Sequence, residues 1–328
     1  MRIFVTGATG FAGSHLVDDL LAAGHDVFGL VYREEAGARH SADAPSRFTP
    51  IEGDLLDGAG LRGAVEQAEP DIIYHLAGQA LTAQSWRQAA RTIAVNTGGT
   101  ANLLDAAAAW GRPRVVVVTS AEIYGTVTPE QLPITEQSEP DPHHPYGVSK
   151  WAAARLVPLY HKRYDLPVVE ARPFNHIGPG QARGFVVPDF ASQLAAICLG
   201  RRPPEMTVGN LSAQRDFTDV RDVVRAYQAL AEAGRPGTTY IICSGQPVAI
   251  ETLLESLIEI AGVPVTVRPD PARMRPSDTP VLYGSYQRLH DTSGWSPQIS
   301  LRQSLQDAFA EWVARLEAEE AIDEVAQS

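Results

Sequence analysis

Cysteine is nearly absent: the 328 residues hold two, Cys198 and Cys243, with no CxxC or other metal-ligand spacing between them. That argues against a disulfide framework and against a thiolate metal site, so two inert, reduced thiols and no metal are expected. Basic charge is short as well. Lys and Arg total 27 against 39 Asp and Glu, the net charge is −12, and no basic stripe is available to neutralise a phosphate backbone. Nucleic acid is therefore not an expected partner, and an anionic ligand would depend on individual arginines. No apolar run reaches the roughly 18–20 residues that span a bilayer. Met1-Arg2-Ile3 leads straight into structure instead of a leader. The expectation is a soluble, cytoplasmic protein. What is plentiful is apolar material, 44% of residues against 20% charged, enough for a packed core.

That material is patterned. Ile3-Phe4-Val5, Val27-Phe28-Gly29-Leu30-Val31, Ile72-Ile73-Tyr74 and Val115-Val116-Val117-Val118 read as strands, and the periodic stretches 12–23, 59–68 and 94–110 read as helices. Near-continuous apolar strands alternating with helices predict a parallel sheet covered on both faces, a doubly wound α/β domain. After about residue 172 prolines and glycines become frequent and the alternation stops. Helices at 220–233, 251–261 and about 300–318, with a strand at Tyr240-Ile241-Ile242, follow. The expected division is 1–172 plus about 220–243 as a dinucleotide-binding domain, and 173–219 with 244–328 as a smaller α/β substrate domain.

The first strand runs into Gly7-Ala8-Thr9-Gly10-Phe11-Ala12-Gly13 and then the first helix. A glycine triplet there permits a tight turn, close approach of backbone to a pyrophosphate and close helix–strand packing, with the free N–H groups of the helix start facing the phosphates. At the end of the second strand, Leu30-Val31-Tyr32-Arg33 offers no carboxylate for a ribose 2′-hydroxyl. Arg33 suits a 2′-phosphate, which favours NADP(H) over NAD(H).

Tyr146-Gly147-Val148-Ser149-Lys150 places a phenol and an ammonium four residues apart, on one helical face. A lysine beside a phenol is expected to lower its pKa from about 10, and a positive nicotinamide would add to that. Such a tyrosine exchanges a proton while a hydride moves. Thr119-Ser120-Ala121-Glu122-Ile123-Tyr124-Gly125 directly follows the strand at 115–118, at a carboxyl end where doubly wound sheets build their sites. Ser120 is placed to hydrogen-bond the carbonyl or hydroxyl being transformed.

The glycine triplet, Ser120, the Tyr146/Lys150 pair and the His75-Leu76-Ala77-Gly78 turn together resemble the extended short-chain dehydrogenases, over nearly the whole chain. Ala171-Arg172-Pro173-Phe174-Asn175-His176-Ile177-Gly178-Pro179-Gly180-Gln181, Arg215-Asp216-Phe217-Thr218-Asp219-Val220 and Arg273-Met274-Arg275-Pro276-Ser277-Asp278 are similar to blocks of the GDP-6-deoxy-D-mannose reductases. The resemblance implies that Asp54 and Leu55 hold the adenine, that Leu76, Ala77 and Gly78 line the cofactor, and that Pro173 and His176 lie on the nicotinamide side. It further implies that Asn175 and Val186 face the sugar nucleotide, Arg215 and Arg275 clamp its diphosphate, and Asp278 holds a ribose hydroxyl. Arginine's planar fork suits phosphate oxygens.

Glu122 stands where related GDP-mannose 4,6-dehydratases hold the carboxylate that removes the C5 proton. Ser120-Ala121-Glu122 in place of Thr-Ser-Glu, and Tyr32-Arg33 in place of paired arginines, point to the reductase. The implied reaction is reduction of GDP-4-keto-6-deoxy-D-mannose at C4 to GDP-D-rhamnose, with Tyr146 as proton donor. A 4,6-dehydratase or a nucleotide-sugar 4-epimerase is the alternative. Relatives also imply a homodimer packed through the helices at 94–110 and 146–164, the first rich in alanine (Ala106 to Ala109) and the second expected to kink at Pro158.

Overall fold

The computed structural model describes residues 1–32, 47–270 and 279–327. Arg33, Arg275 and Asp278 lie outside the described residues. The first half alternates strands and helices. Strands β1 (Arg2–Thr6), β2 (Asp26–Val31), β3 (Phe48–Glu52), β4 (Ile72–His75), β5 (Arg114–Val118) and β6 (Val168–Pro173) are connected by six helices. These are α1 (Phe11–Ala22), α2 (Gly58–Ala68), α3 (Thr82–Arg87), α4 (Ala89–Ile93), α5 (Gly99–Trp110) and α6 (Pro145–Tyr164). β-branched residues pack well on a pleated surface that is buried on both faces. Helix starts are fixed locally: the Asp57 carboxylate caps α2 by accepting from the amides of Ala59 and Gly60.

The chain continues through β7 (Asn175–Ile177), α7 (Val186–Cys198), β8 (Glu205–Val208), β9 (Gln214–Asp219), α8 (Val220–Ala233), β10 (Thr239–Ile242) and β11 (Pro247–Ala249). It ends with α9 (Ile250–Ala261), β12 (Thr266–Pro269), β13 (Val281–Leu282), α10 (Gln287–Ser293) and α11 (Leu301–Gln327). A seven-stranded sheet has the order β10-β6-β5-β4-β1-β2-β3, and every neighbouring pair is parallel. This is the doubly wound arrangement that the alternation implied. Strand order reverses between β1 and β4, so a crevice opens at their carboxyl ends.

One face of the sheet is covered by α1 and α8 through Leu16, Val17, Tyr227 and Leu230. The other is covered by α2, α5 and α6 through Leu61, Val65, Leu103, Leu104 and Val157. A separate apolar core joins α7, α9 and α11 around Phe190, Leu194, Leu257 and Trp312. Beside it β7, β11 and β13 pair with β9, β11 antiparallel and the other two parallel.

Two local expectations differ. β3 was not among the β-branched runs because Pro50 interrupts it; β3 is the sheet's edge strand, where a missing donor costs little. The last helix continues to Gln327, beyond the expected end at 318.

Asp222, fully buried near the start of α8, ties the two parts together. Its Oδ2 accepts from the amides of Gln298 (2.8 Å) and Ile299 (2.9 Å), its Oδ1 pairs with Arg225, and its carbonyl accepts from the Trp295 indole at 3.0 Å. Asp222→Ala strands two backbone donors and a guanidinium. A loss of about 3 kcal/mol in unfolding free energy is expected, measured by urea denaturation.

Candidate active site

The crevice between the sheet's carboxyl edge and β7 is a cleft of about 810 Å3. At one end lies the glycine turn. Gly7 has a φ of +72° and takes the bend that a side chain resists, and a Cβ there would sit 2.8 Å from the Ala77 amide nitrogen. A Cβ on Gly13 would stand 1.8 Å from the Gly7 carbonyl oxygen, so only glycine lets α1 pack this closely. Gly10 is the N-cap of α1 and brings no side chain to the first-turn amides, which leaves them for an anion. Gln79 Oε1, Gln181 Oε1 and Tyr227 Oη, all in the cleft wall, are buried without a hydrogen-bond partner among the described residues. An anion-binding turn with uncommitted polar atoms along the same wall fits a dinucleotide.

Beneath this end the turn at 75–78 is held from below. The buried His75 ring lies between Thr6 Oγ1 (2.8 Å) and Thr100 Oγ1 (2.9 Å), and burial together with the Lys150 charge pushes its pKa down to about 3. It is a neutral spacer. The Thr6 hydroxyl also accepts from the Ala77 amide at 3.2 Å.

At the other end, Ser120, Tyr146 and Lys150 are gathered and almost fully buried. Ser120 ends the strand-to-turn passage out of β5 and caps the short 3-10 turn Ala121–Tyr124 by accepting from the Glu122 amide at 3.2 Å. That turn is fastened from behind: Arg172 donates to Tyr124 Oη at 2.6 Å and to the buried Glu170 carboxylate at 2.8 and 2.9 Å. Lys150 Nζ donates to the Val118 carbonyl at 3.0 Å, and burial lowers its pKa to about 8.

The expectation that Lys150 lowers the Tyr146 pKa is corrected here. Burial dominates and pushes the phenol up to about 12; a hydrogen bond with Ser120 pulls it partly back, and the Glu122 charge raises it further. The lysine is committed to Val118, and its own charge is disfavoured by the same burial.

Glu122 faces the cleft. Burial raises its carboxyl, but the hydrogen-bonding contact with His144 and the charge of Arg215 outweigh this and hold it below the usual carboxylate range. His144 Nε2 lies 2.9 Å from Glu122 Oε2, and the imidazole stacks at 8° on the Tyr146 ring, 6.0 Å between centroids.

The cleft wall contains Gly7, Gly10, Phe11, Ala12, Gly13, Asp54, Leu55, Leu76, Ala77 and Gly78 at its dinucleotide end. Ser120, Glu122, Tyr146, Lys150, Pro173, Asn175, His176 and Val186 line the rest. The His176 ring is stacked on Phe11 at 5.6 Å and 9°. Arg215, on β9, does not line the cleft but is close enough for its charge to act on Glu122. His144, Gln79 and Tyr227 were not anticipated, and Gln181 was quoted only as the end of the Ala171–Gln181 block, without a role. A histidine directly before Pro145-Tyr146 was the available signal for the first; nothing in the sequence marked Gln79 or Tyr227.

A family model described as GDP-mannose 4,6 dehydratase matches residues 4–308. The chain belongs to the GDP-mannose 4,6-dehydratase family. Within and around that family, the GDP-6-deoxy-D-mannose reductase of Pseudomonas aeruginosa is 40% identical over 319 residues, 97% of this chain and 99% of that one. The UDP-glucose 4-epimerase of Mycolicibacterium smegmatis is 32% identical over 311 residues, 93% and 96% of the two chains. Among solved structures, RMD from Pseudomonas aeruginosa complexed with NADPH superposes with a TM-score of 0.83 at 37% identity, covering 96% of this chain and 99% of that one. The protein is an oxidoreductase with the fold of the short-chain dehydrogenases.

Because Lys150 is depressed from 10.5 to about 8, the unfolded chain binds more protons than the folded one between those values, and stability rises with pH across that window. Relative to Lys150→Met, the wild type should gain about 3 kcal/mol between pH 8 and pH 10.5, read from paired denaturation curves.

Proposed function

We propose that the protein reduces the C4 ketone of GDP-4-keto-6-deoxy-D-mannose to GDP-D-rhamnose. The observation that carries this reading is Tyr146: a buried phenol, pushed up to about 12, at the far end of a dinucleotide-shaped cleft and hydrogen-bonded to Ser120. Such a phenol keeps its proton until an alkoxide forms, which is what reduction of a ketone requires. The full-length similarity to a GDP-6-deoxy-D-mannose reductase supports the same substrate.

NAD(P)H, when bound, supplies the hydride. Ser120 holds the ketone oxygen, and Tyr146 gives that oxygen its proton. The Lys150 ammonium, fixed by the Val118 carbonyl, orients the nicotinamide ribose. The first-turn amides of α1 hold the pyrophosphate, and the stacked Phe11 and His176 wall the nicotinamide side with Pro173. Asn175, Val186 and Arg215, with Arg275 and Asp278, bind the sugar nucleotide. Arg33, with no carboxylate at Leu30-Val31-Tyr32, favours NADP(H).

In this reading residues 1–172 with about 220–243 serve the dinucleotide, and 173–219 with 244–328 serve the sugar. A homodimer in the cytoplasm completes it. Exposed Trp86, Ile93, Val148 and Leu159 on α3, α4 and α6 support a helix-to-helix interface. Among the described residues no helix is long and apolar enough to cross a membrane.

A second reading, GDP-mannose 4,6-dehydratase, is favoured by one observation, the ionised Glu122 in the cleft. Supplying the keto sugar with NADPH should consume the reduced-nicotinamide absorbance, and Tyr146→Phe should lower kcat by about 100-fold or more at an unchanged melting temperature. Constant absorbance would remove the reductase. Loss of water from GDP-mannose alone, seen by mass and abolished in Glu122→Gln, would install the dehydratase. Interconversion at C4 without net use of nicotinamide would indicate an epimerase.

A further inference from the structure

His144 does more than its position requires. As N-cap of α6, its Nδ1 accepts from the Gly147 amide at 3.0 Å. Histidine is not among the preferred N-cap residues, and Ser, Thr, Asp or Asn would cap as well with a shorter side chain. What the imidazole adds is reach. Because Nδ1 is an acceptor for a backbone N–H, the ring proton lies on Nε2, and Nε2 donates to Glu122 Oε2 at 2.9 Å. One ring thus fastens the helix start, one carboxylate oxygen and, by stacking, the Tyr146 phenol. The other carboxylate oxygen, Oε1, has no hydrogen-bond partner among the described residues, and Glu122 lines the cleft two residues beyond Ser120.

We propose that His144 is a positioning residue for the sugar: by tying down Oε2 it presents Glu122 Oε1 to the cleft as a fixed anionic acceptor for a hydroxyl next to the carbon under attack. This rests on the nucleotide-sugar reading above. A tethered carboxylate beside Ser120 and Tyr146 selects substrates that carry a donor at that place and rejects those that would leave the charge unpaired.

Among the described residues the groups that face Glu122 are few. His144 and Tyr146 approach from α6, and Arg215 from β9. The Asp141–His143 pair (2.9 Å) lies on the segment that precedes α6, and the Arg172–Glu170 pair lies behind Tyr124. Lys150 is turned to Val118. Of these His144 alone holds a carboxylate oxygen of Glu122.

His144→Ser separates the two jobs, since serine caps a helix and is too short to reach Glu122. Binding of GDP-mannose, measured by calorimetry between pH 5 and pH 8, should vary little for the wild type. In His144→Ser it should weaken about tenfold toward pH 5, as an untethered Glu122 takes up a proton, the weight of one charge-assisted hydrogen bond. Glu122→Gln should bind about tenfold more weakly at every pH, and adding His144→Ser to it should change nothing further. If His144→Ser binds with the wild-type profile, or if the two substitutions add in full, the proposal fails. Should His144→Ser lose its folding transition, His144→Asn, another capping residue, takes its place under the same criteria. A wild type that binds GDP-mannose without reducing the keto sugar sinks the reductase alone; a wild type that does not bind it sinks both.

Discussion

A single bond, from the ammonium of Lys150 to the carbonyl of Val118, sets the geometry on which the remainder depends. It fixes helix α6 against the carboxyl end of β5 at the point where the chain leaves the sheet for Ser120. A charged amine is costly to bury, and here the cost is offset by one backbone acceptor and by neighbours that are themselves constrained. Ser149 donates to the Tyr146 carbonyl at 2.7 Å and accepts from Asn96, whose amide also clasps the backbone of Gln79 on both sides. The reacting phenol, the cofactor turn at 76–79 and the π-helical turn at 94–98 are therefore one connected body.

The same low dielectric works in opposite directions on neighbouring groups. It raises a phenol, lowers an ammonium and would raise a carboxyl, yet Glu122 stays ionised because His144 and Arg215 are within reach. Titratable groups with such divergent environments are how one cleft holds an acid and an anion side by side at neutral pH.

Much of this was legible in the sequence, for identifiable reasons. Val115 to Val118, Ile72 to Tyr74 and Ile3 to Val5 are apolar runs too short to be anything but buried strands, and all three lie in the parallel sheet. The glycines at 7, 10 and 13 are spaced by the turn they make. Less readable were features that depend on distant partners. β3 carries a proline that only an edge position excuses, and edge position is a property of the assembled sheet. The effect of Lys150 on Tyr146 was misjudged because spacing along a helix places side chains on one face but does not say what carbonyl the amine will find, nor how deeply both are buried. His144 escaped notice because its partner is 22 positions earlier in the chain.

The path of the backbone has one further consequence. Among the described residues the main chain passes between the seven-stranded sheet and the β9-centred sheet from β6 to β7, from β9 to α8, and from β10 to β11, and it crosses twice more where α10, whose Leu289 packs with α8, lies between β13 and α11. At the second passage the Asp219 carboxylate caps α8 while accepting from Arg221 and from Ser304 on α11. Motion of one core on the other must bend all of these tethers together. Such a multiple hinge damps swinging and favours a rocking of small amplitude, with ligands admitted along the crevice mouth instead of through wide separation of the two cores.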